Sequence, residues 1–214
     1  MKKIYFLLLA TILIASCKPG SKTNNRSEGK PVITVTLEPL RYSPKHCRRP
    51  LSVVSMVPKG TSPETYDPTP QQLVELARSK AYFRIGYIGF EQTWTDKLTD
   101  NAPHLQFFDM SQGVDLIYDN THVHHHAANE KEHQHAIGVE PHIWNSAVNA
   151  QIIAGNILSA LRNIDKGNED FYLERYNTLC RKIEYTDSLI RQTLATPGAD
   201  HAFMIYHPAL SYFA

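Results

Sequence analysis

Short β-rich runs alternate with helical segments over the first half of the chain, and this alternation constrains the fold more than any other feature. Residues that favour strands concentrate at 32–37, 52–57, 81–88 and 105–110. Between these runs, Thr69 and Pro70 are typical of a helix N-terminus, and 91–98 is predicted to be helical. Strands that alternate with helices favour a parallel sheet covered on both faces, so we expect an α/β fold.

A long helical section follows. Apolar residues recur at helical spacing over 147–161, and a second helix is predicted over 169–194, with Leu189 among the side chains that face inward. The run 201–206 is again β-rich and predicts a strand that opens a new βα unit. We therefore expect the organisation of two lobes joined by helices. The predicted parts are an N-terminal lobe at 31–145, a helical connector at 146–198 and the start of a truncated second lobe at 199–214.

The segment 41–50 does not fit this pattern. A helix should join the first two strands, but Pro44 and Pro50 oppose a helix and no apolar stripe is present. The sequence predicts an irregular segment here, either a genuine loop or the product of a local frame error in the gene.

The N-terminus has the organisation of a signal peptide over residues 1–16. After a basic start, the apolar run 4–15 is shorter than the roughly 20 residues of a transmembrane helix. Its end, Ile14-Ala-Ser-Cys17, resembles the bacterial lipobox, so Cys17 is predicted to become the first mature residue and to anchor the chain through lipid. The polar residues 17–30 predict a flexible tether. With the signal peptide and the lipid on Cys17, we expect an extracytoplasmic protein that is anchored to the membrane. A secreted protein that is cut elsewhere is the alternative.

Composition excludes one class of partner and offers little support for a disulfide framework. The chain has 22 basic and 21 acidic residues and no basic block, so it lacks the electrostatic footprint of a nucleic-acid-binding protein. Besides Cys17 only Cys47 and Cys180 are present, which is too few for a framework of disulfides. Cys180 falls on a helical apolar stripe, where cysteine is more often a core residue than a ligand.

More than half of the chain's 11 histidines fall in one short segment, 121–136. They are His122, His124, His125, His126, His133 and His135. Neutral imidazole is a frequent ligand of zinc, and the segment has no apolar periodicity that would bury it. We interpret it as a solvated loop that gives auxiliary metal capture. A polar loop that is merely rich in histidine is the alternative.

Three short motifs place further metal-binding side chains in turns. Glu64 lies in the Pro-rich segment 60–70 between a predicted strand and helix, and His142 lies in Glu140-Pro-His-Ile-Trp144. His207 follows the last β-rich run. Zinc sites use three or four N, O or S ligands that often come from distant segments. These three residues are therefore candidate ligands.

Together these motifs resemble the metal-binding solute-binding proteins of ABC importers, in the cluster that takes up zinc or manganese. The resemblance covers most of the mature chain. It is most specific at 62–70, 140–144 and 206–213, with Gly89-Phe-Glu91 in support. It implies a monomer of two lobes joined by a long rigid helix, with the metal held between the lobes and then delivered to a membrane permease.

The resemblance also implies roles for single residues. His142 and His207 match ligands of the family, whereas Glu64 stands where the family usually has histidine. The family's last ligand is an acidic residue late in the second lobe, and this chain ends before it. A carboxylate is a harder ligand than imidazole, so manganese is possible beside zinc.

Other functions stay open at this point. A zinc hydrolase is disfavoured, because the sequence has neither a His-Glu-x-x-His pattern nor a Gly-x-Ser-x-Gly nucleophile elbow. A manganese-binding or adhesin-type lipoprotein that uses metal incidentally is an alternative. A truncated fragment of the family that takes no part in transport is another.

Overall fold

The computed structural model describes residues 31–45, 51–118, 138–200 and 202–213. The predicted signal peptide, the tether with Cys17, Cys47 and the six histidines of 121–136 lie outside these residues. Within them, no helix combines the length and the apolar character that crossing a bilayer requires.

The described part of the chain contains one four-stranded parallel sheet. Its strands are β1 (Val32–Val35), β2 (Ser52–Ser55), β3 (Ala81–Arg84) and β4 (Gln106–Asp109). Their order is β2-β1-β3-β4, and every neighbouring pair is parallel. Ile33, Val35 and Phe83 are completely buried, as expected for strands with a helical layer on each face. The predicted α/β class is confirmed.

Five α-helices accompany the sheet in this part of the chain. They are α1 (Glu38–Lys45), α2 (Pro70–Ala77), α3 (Gly89–Asn101), α4 (Ala147–Ile164) and α5 (Glu169–Leu194). The predicted start of α2 is confirmed. Thr69 Oγ1 accepts from the backbone N–H of Gln72 at 3.3 Å, and the Gln72 side chain accepts from the backbone N–H of Thr69 at 3.1 Å. This reciprocal pair is a capping box, which satisfies two backbone donors that the helix leaves unpaired.

The prediction of an irregular segment was wrong over residues 41–45, because α1 runs on to Lys45, while 46–50 lie outside the described part of the chain. Leu37 and Leu40, just before that segment, are buried and anchor the helix on the sheet. Arg41 then pairs with Glu38 at 2.9 Å across one helical turn. Pro44 stands in the last turn, where its missing N–H removes one hydrogen bond at the end of the helix instead of breaking its middle.

A buried carboxylate shapes the turn between β3 and α3, where the strand ends at Arg84 and not at Ile88 as predicted. Glu91 is 1% exposed and accepts hydrogen bonds from the backbone N–H groups of Ile85 at 2.9 Å and Gly86 at 2.6 Å. It also accepts from the hydroxyl of Thr36. These bonds turn the chain away from the sheet and into the helix.

The two long helices have the predicted periodicity, but one predicted contact was wrong. Ile153, Ile157 and Leu161 of α4 are buried in the same core as the apolar side chains of the strands, and Tyr172 of α5 is buried as well. Leu189 is 44% exposed. Helical spacing tells which side chains share a face, whereas burial depends on whether another element covers that face.

The predicted strand at 201–206 is absent from its described residues, 202–206. This stretch forms no ladder with the sheet, and Met204 is 98% exposed. A β-rich run becomes a strand only where a neighbouring strand pairs with it. In the part of the chain that the structure describes, no strand lies beside this run.

Candidate metal centre

Three separate segments carry the candidate ligands. Glu64 lies in the loop between β2 and α2, on the side of the sheet where the strands have their carboxyl ends, which is where α/β folds usually bind ligands. His142 precedes a single 3₁₀ turn, Ile143–Asn145, which leads into α4. His207 follows the exposed run that ends at Tyr206.

The structure brings these three side chains together. His142 Nε2 lies 3.1 Å from His207 Nε2 and 3.6 Å from Glu64 Oε1. His207 Nε2 lies 3.2 Å from the same Glu64 oxygen. One nitrogen or oxygen atom of each residue therefore points to a common position.

The three residues differ in exposure. His142 is 4% exposed, whereas the side chains of Glu64 and His207 keep 40% and 45% of their surface open to solvent. The cluster thus has one buried member and two members that solvent reaches. Solvent would reach a bound ion from the side of Glu64 and His207.

Glu140 supports the buried histidine. Its Oε1 accepts from the backbone N–H of His142 at 3.0 Å and pairs with Nδ1 of the same imidazole. The ring of Trp144 lies 5.2 Å from the His142 ring, so an aromatic side chain limits its movement on another side. Trp144, Tyr66 and Tyr212 are all partly buried against the core.

The segment after His207 is fastened to the rest of the site by two side chains. Tyr212 Oη donates to the carbonyl oxygen of Glu140 at 3.0 Å and accepts from the backbone N–H of Ile117 at 3.0 Å. Asn145 Nδ2 donates to the carbonyl oxygen of Ala209 at 2.7 Å. Burial raises the pKa of Tyr212, so its hydroxyl keeps the proton that it donates.

The sequence interpretation quoted Glu140 in a motif but gave it no supporting role at the site. A carboxylate two residues before a histidine, with proline between them, is a local signal that would have pointed to Glu140. For Tyr212 no such signal exists, since its partners Ile117 and Glu140 are distant in sequence. His104, which belongs to none of the three motifs, is exposed.

An apolar groove of about 1100 Å³ adjoins the centre. Trp144 and Tyr212 form part of its wall, together with Val148, Ile183 and Phe213. Val148 is 61% exposed. The candidate centre therefore lies at the edge of an open apolar surface.

Comparison with known proteins identifies the family. The sequence profile of the zinc-uptake complex component A, periplasmic, matches residues 35–214, which is most of the chain. The chain belongs to this family.

Individual proteins that are similar to this chain agree with the family assignment. The chain is 28% identical over 198 residues to the manganese ABC transporter substrate-binding lipoprotein PsaA of Streptococcus mitis, covering 88% of this chain and 58% of that protein. A crystal structure of ZnuA superposes with a TM-score of 0.72 at 28% identity, over 86% of this chain and 66% of that chain. A ZnuA deletion mutant with zinc bound gives a TM-score of 0.70 at 28% identity, over 86% and 65%. The chain spans less than two thirds of the length of these proteins.

Proposed function

We propose that this protein captures extracytoplasmic zinc at Glu64, His142 and His207 and delivers it to the membrane permease of an ABC importer. One observation carries the proposal: a ligand atom from each of the three residues lies within 4.8 Å of the other two. Two imidazole nitrogens and one carboxylate oxygen form a donor set that zinc accepts.

The separations of the three atoms suit a single ion. Tetrahedral zinc with bonds of about 2.1 Å holds each pair of ligand atoms about 3.4 Å apart. The three observed separations are 3.1, 3.2 and 3.6 Å. Little movement would bring all three residues into contact with one ion and leave a fourth position free.

Manganese is the alternative cargo. Glu64 supplies a harder oxygen ligand than imidazole, and carboxylates suit manganese better than sulfur or nitrogen ligands do. The relative from Streptococcus mitis is named as a manganese transporter lipoprotein. Octahedral ligands at about 2.1 Å lie about 3.0 Å apart, which is also close to the observed separations.

The family and the sequence support the role in uptake. The similar proteins carry the names of transport proteins, and one is named a lipoprotein. A lipid on Cys17 would keep the carrier at the membrane surface beside its permease. The histidines of 121–136 would supply weaker, auxiliary capture. We propose no catalytic role.

A competition titration with a chromogenic zinc chelator tests the assignment. We expect one tight equivalent in the wild type and its loss in His142→Ala, since two remaining ligands cannot hold the ion. His104→Ala removes an exposed histidine outside the cluster and serves as the matched control. Tight binding that survives in His142→Ala would overturn the assignment, and the same series with manganese decides between the two cargoes.

A further inference from the structure

We infer that Glu140 is a positioning residue that holds His142 as the tautomer with its proton on Nδ1, so that Nε2 offers its lone pair to the metal. This inference rests on the proposed function, because it names a residue that prepares one of the proposed ligands. It concerns a side chain that does not itself face the common position.

The contacts of the two ring nitrogens set the tautomer. An ionised carboxylate only accepts hydrogen bonds, so a ring nitrogen that pairs with it carries the proton. Nδ1 of His142 pairs with Oε1 of Glu140. Nε2 of the same ring points the other way, to Glu64 Oε1 at 3.6 Å and His207 Nε2 at 3.1 Å. The proton and the lone pair thus face opposite sides of the imidazole.

The pairing takes place in a shielded environment. The side chains of His142 and Glu140 are 6% and 14% exposed. Water therefore competes little for either group, and the carboxylate is the acceptor within reach of Nδ1. A hydrogen bond to an ionised group is stronger than a neutral one, which favours this tautomer over the other.

Glu140 is itself held in place. Its backbone N–H donates to the carbonyl oxygen of Ile117 at 2.9 Å, and its carbonyl oxygen accepts from Tyr212 at 3.0 Å. A carboxylate on a fixed backbone can orient an imidazole, whereas one on a mobile loop would follow it. Tyr212 also belongs to the segment that carries His207, so Glu140 contacts both histidine-bearing segments.

A simpler role for Glu140 would be to cap the turn by accepting from the backbone N–H of His142 alone. Both roles predict some loss of stability when the carboxylate is removed. Only the positioning role predicts a change in the protonation pattern of the ring. The test therefore needs a readout of the tautomer as well as of affinity.

The tautomer is measured by nitrogen-15 NMR of the histidine rings in the full chain without metal, at a pH where imidazole is neutral. The signals of His142 are assigned by their loss in His142→Ala. We expect the proton on Nδ1 in the wild type and a mixture or the Nε2–H form in Glu140→Ala. Glu174→Gln removes one negative charge from an exposed site on α5 and should leave the spectrum unchanged. The Nδ1–H form persisting in folded Glu140→Ala would overturn the inference.

Affinity gives the second readout. Loss of a partner that orients a metal-binding histidine typically lowers metal affinity 10–100-fold, and we expect a decrease of about that size in Glu140→Ala. Glu140→Gln keeps the shape and one acceptor oxygen, so it decides the matter if the alanine variant does not fold. We expect a smaller but measurable decrease for it. A folded Glu140→Gln chain could show a changed protonation pattern of the His142 ring and still bind zinc within twofold of the wild type. That result would contradict the claim that the tautomer matters for binding. If the wild type itself binds no zinc tightly, the proposed function fails, while the NMR comparison still tests Glu140.

Discussion

The Nε2 atoms of His142 and His207 lie 3.1 Å apart, although 65 residues separate them along the chain. Helices α4 and α5 lie between the two histidines in the sequence, so the contact depends on the tertiary fold. Glu64, from a third segment, lies 3.6 Å from one nitrogen and 3.2 Å from the other. Three potential ligand atoms that lie this close together could share one ion, which is why we propose a metal centre here.

The two histidines should act as a unit. If both bind one ion, His142→Ala and His207→Ala each remove most of the affinity for zinc, and the double variant loses little more than either single variant. Contacting residues that share one function give such non-additive losses. Competition titrations of the two single variants and the double variant measure the coupling. Losses that simply add would mean that the histidines bind metal independently.

Replacing Glu64 should change the preference between metals. Glu64→His exchanges a hard oxygen for an imidazole nitrogen, so we expect zinc affinity to rise relative to manganese affinity. The side chain is 40% exposed, so the substitution has room. Paired titrations with the two ions, in the wild type and the variant, give the ratio. A ratio that does not change would show that Glu64 is not a ligand.

Tyr212 should contribute to stability through its hydroxyl. Tyr212→Phe removes the bond donated to Glu140 and the bond accepted from Ile117. We expect the free energy of unfolding to fall by roughly 1–3 kcal/mol, since each of the two bonds contributes about 0.5–1.5 kcal/mol. Tyr185→Phe, at a side chain that is 67% exposed on α5, is the control and should have almost no effect. Equal stability of the two variants in denaturant unfolding would argue against this anchor.

The buried Glu91 should make the stability of the metal-free protein depend on pH. Burial raises the pKa of Glu91, although hydrogen bonds from Thr36 and the backbone oppose the shift. A carboxyl group with a raised pKa in the folded state stabilises the protein most below its unfolded pKa of about 4.3. That contribution is lost as pH rises through the folded pKa.

Glu91→Gln tests this sign. Its amide NH₂ would face backbone donors such as the N–H of Gly86, so we expect a loss of roughly 1–3 kcal/mol in the free energy of unfolding. The loss should be largest at the acid end and shrink as pH rises, because the wild type gives up its own contribution there. Denaturant unfolding at several pH values measures the trend, with Glu174→Gln as the control. A loss that grows with pH would mean that the hydrogen bonds dominate over burial.

Local patterns in the sequence predicted much of the fold but missed what depends on distant neighbours. Alternation of strands and helices gave the parallel sheet, and the Thr69 cap gave the start of α2. The helix through Pro44 was missed because its anchors, Leu37 and Leu40, lie before the segment that the prolines mark. The burial of Leu189 was predicted wrongly, since spacing cannot tell whether another element covers a face.

The candidate centre shows the same limit. Glu64, His142 and His207 were chosen from three separate turns, and the structure places their side chains together. Their role as ligands is still a proposal. The hydrogen bonds of Tyr212 could not be predicted, because they join residues that are neighbours only in the folded protein.

The most direct test of the central claim is a zinc competition titration that separates the three-residue centre from the histidine-rich segment. It compares the wild type, a variant with serine at all six histidines of 121–136, and the same variant carrying His142→Ala. We predict that one tight equivalent survives the six serine substitutions and disappears with His142→Ala. Tight binding that is lost with the six histidines and is indifferent to His142 would contradict the account.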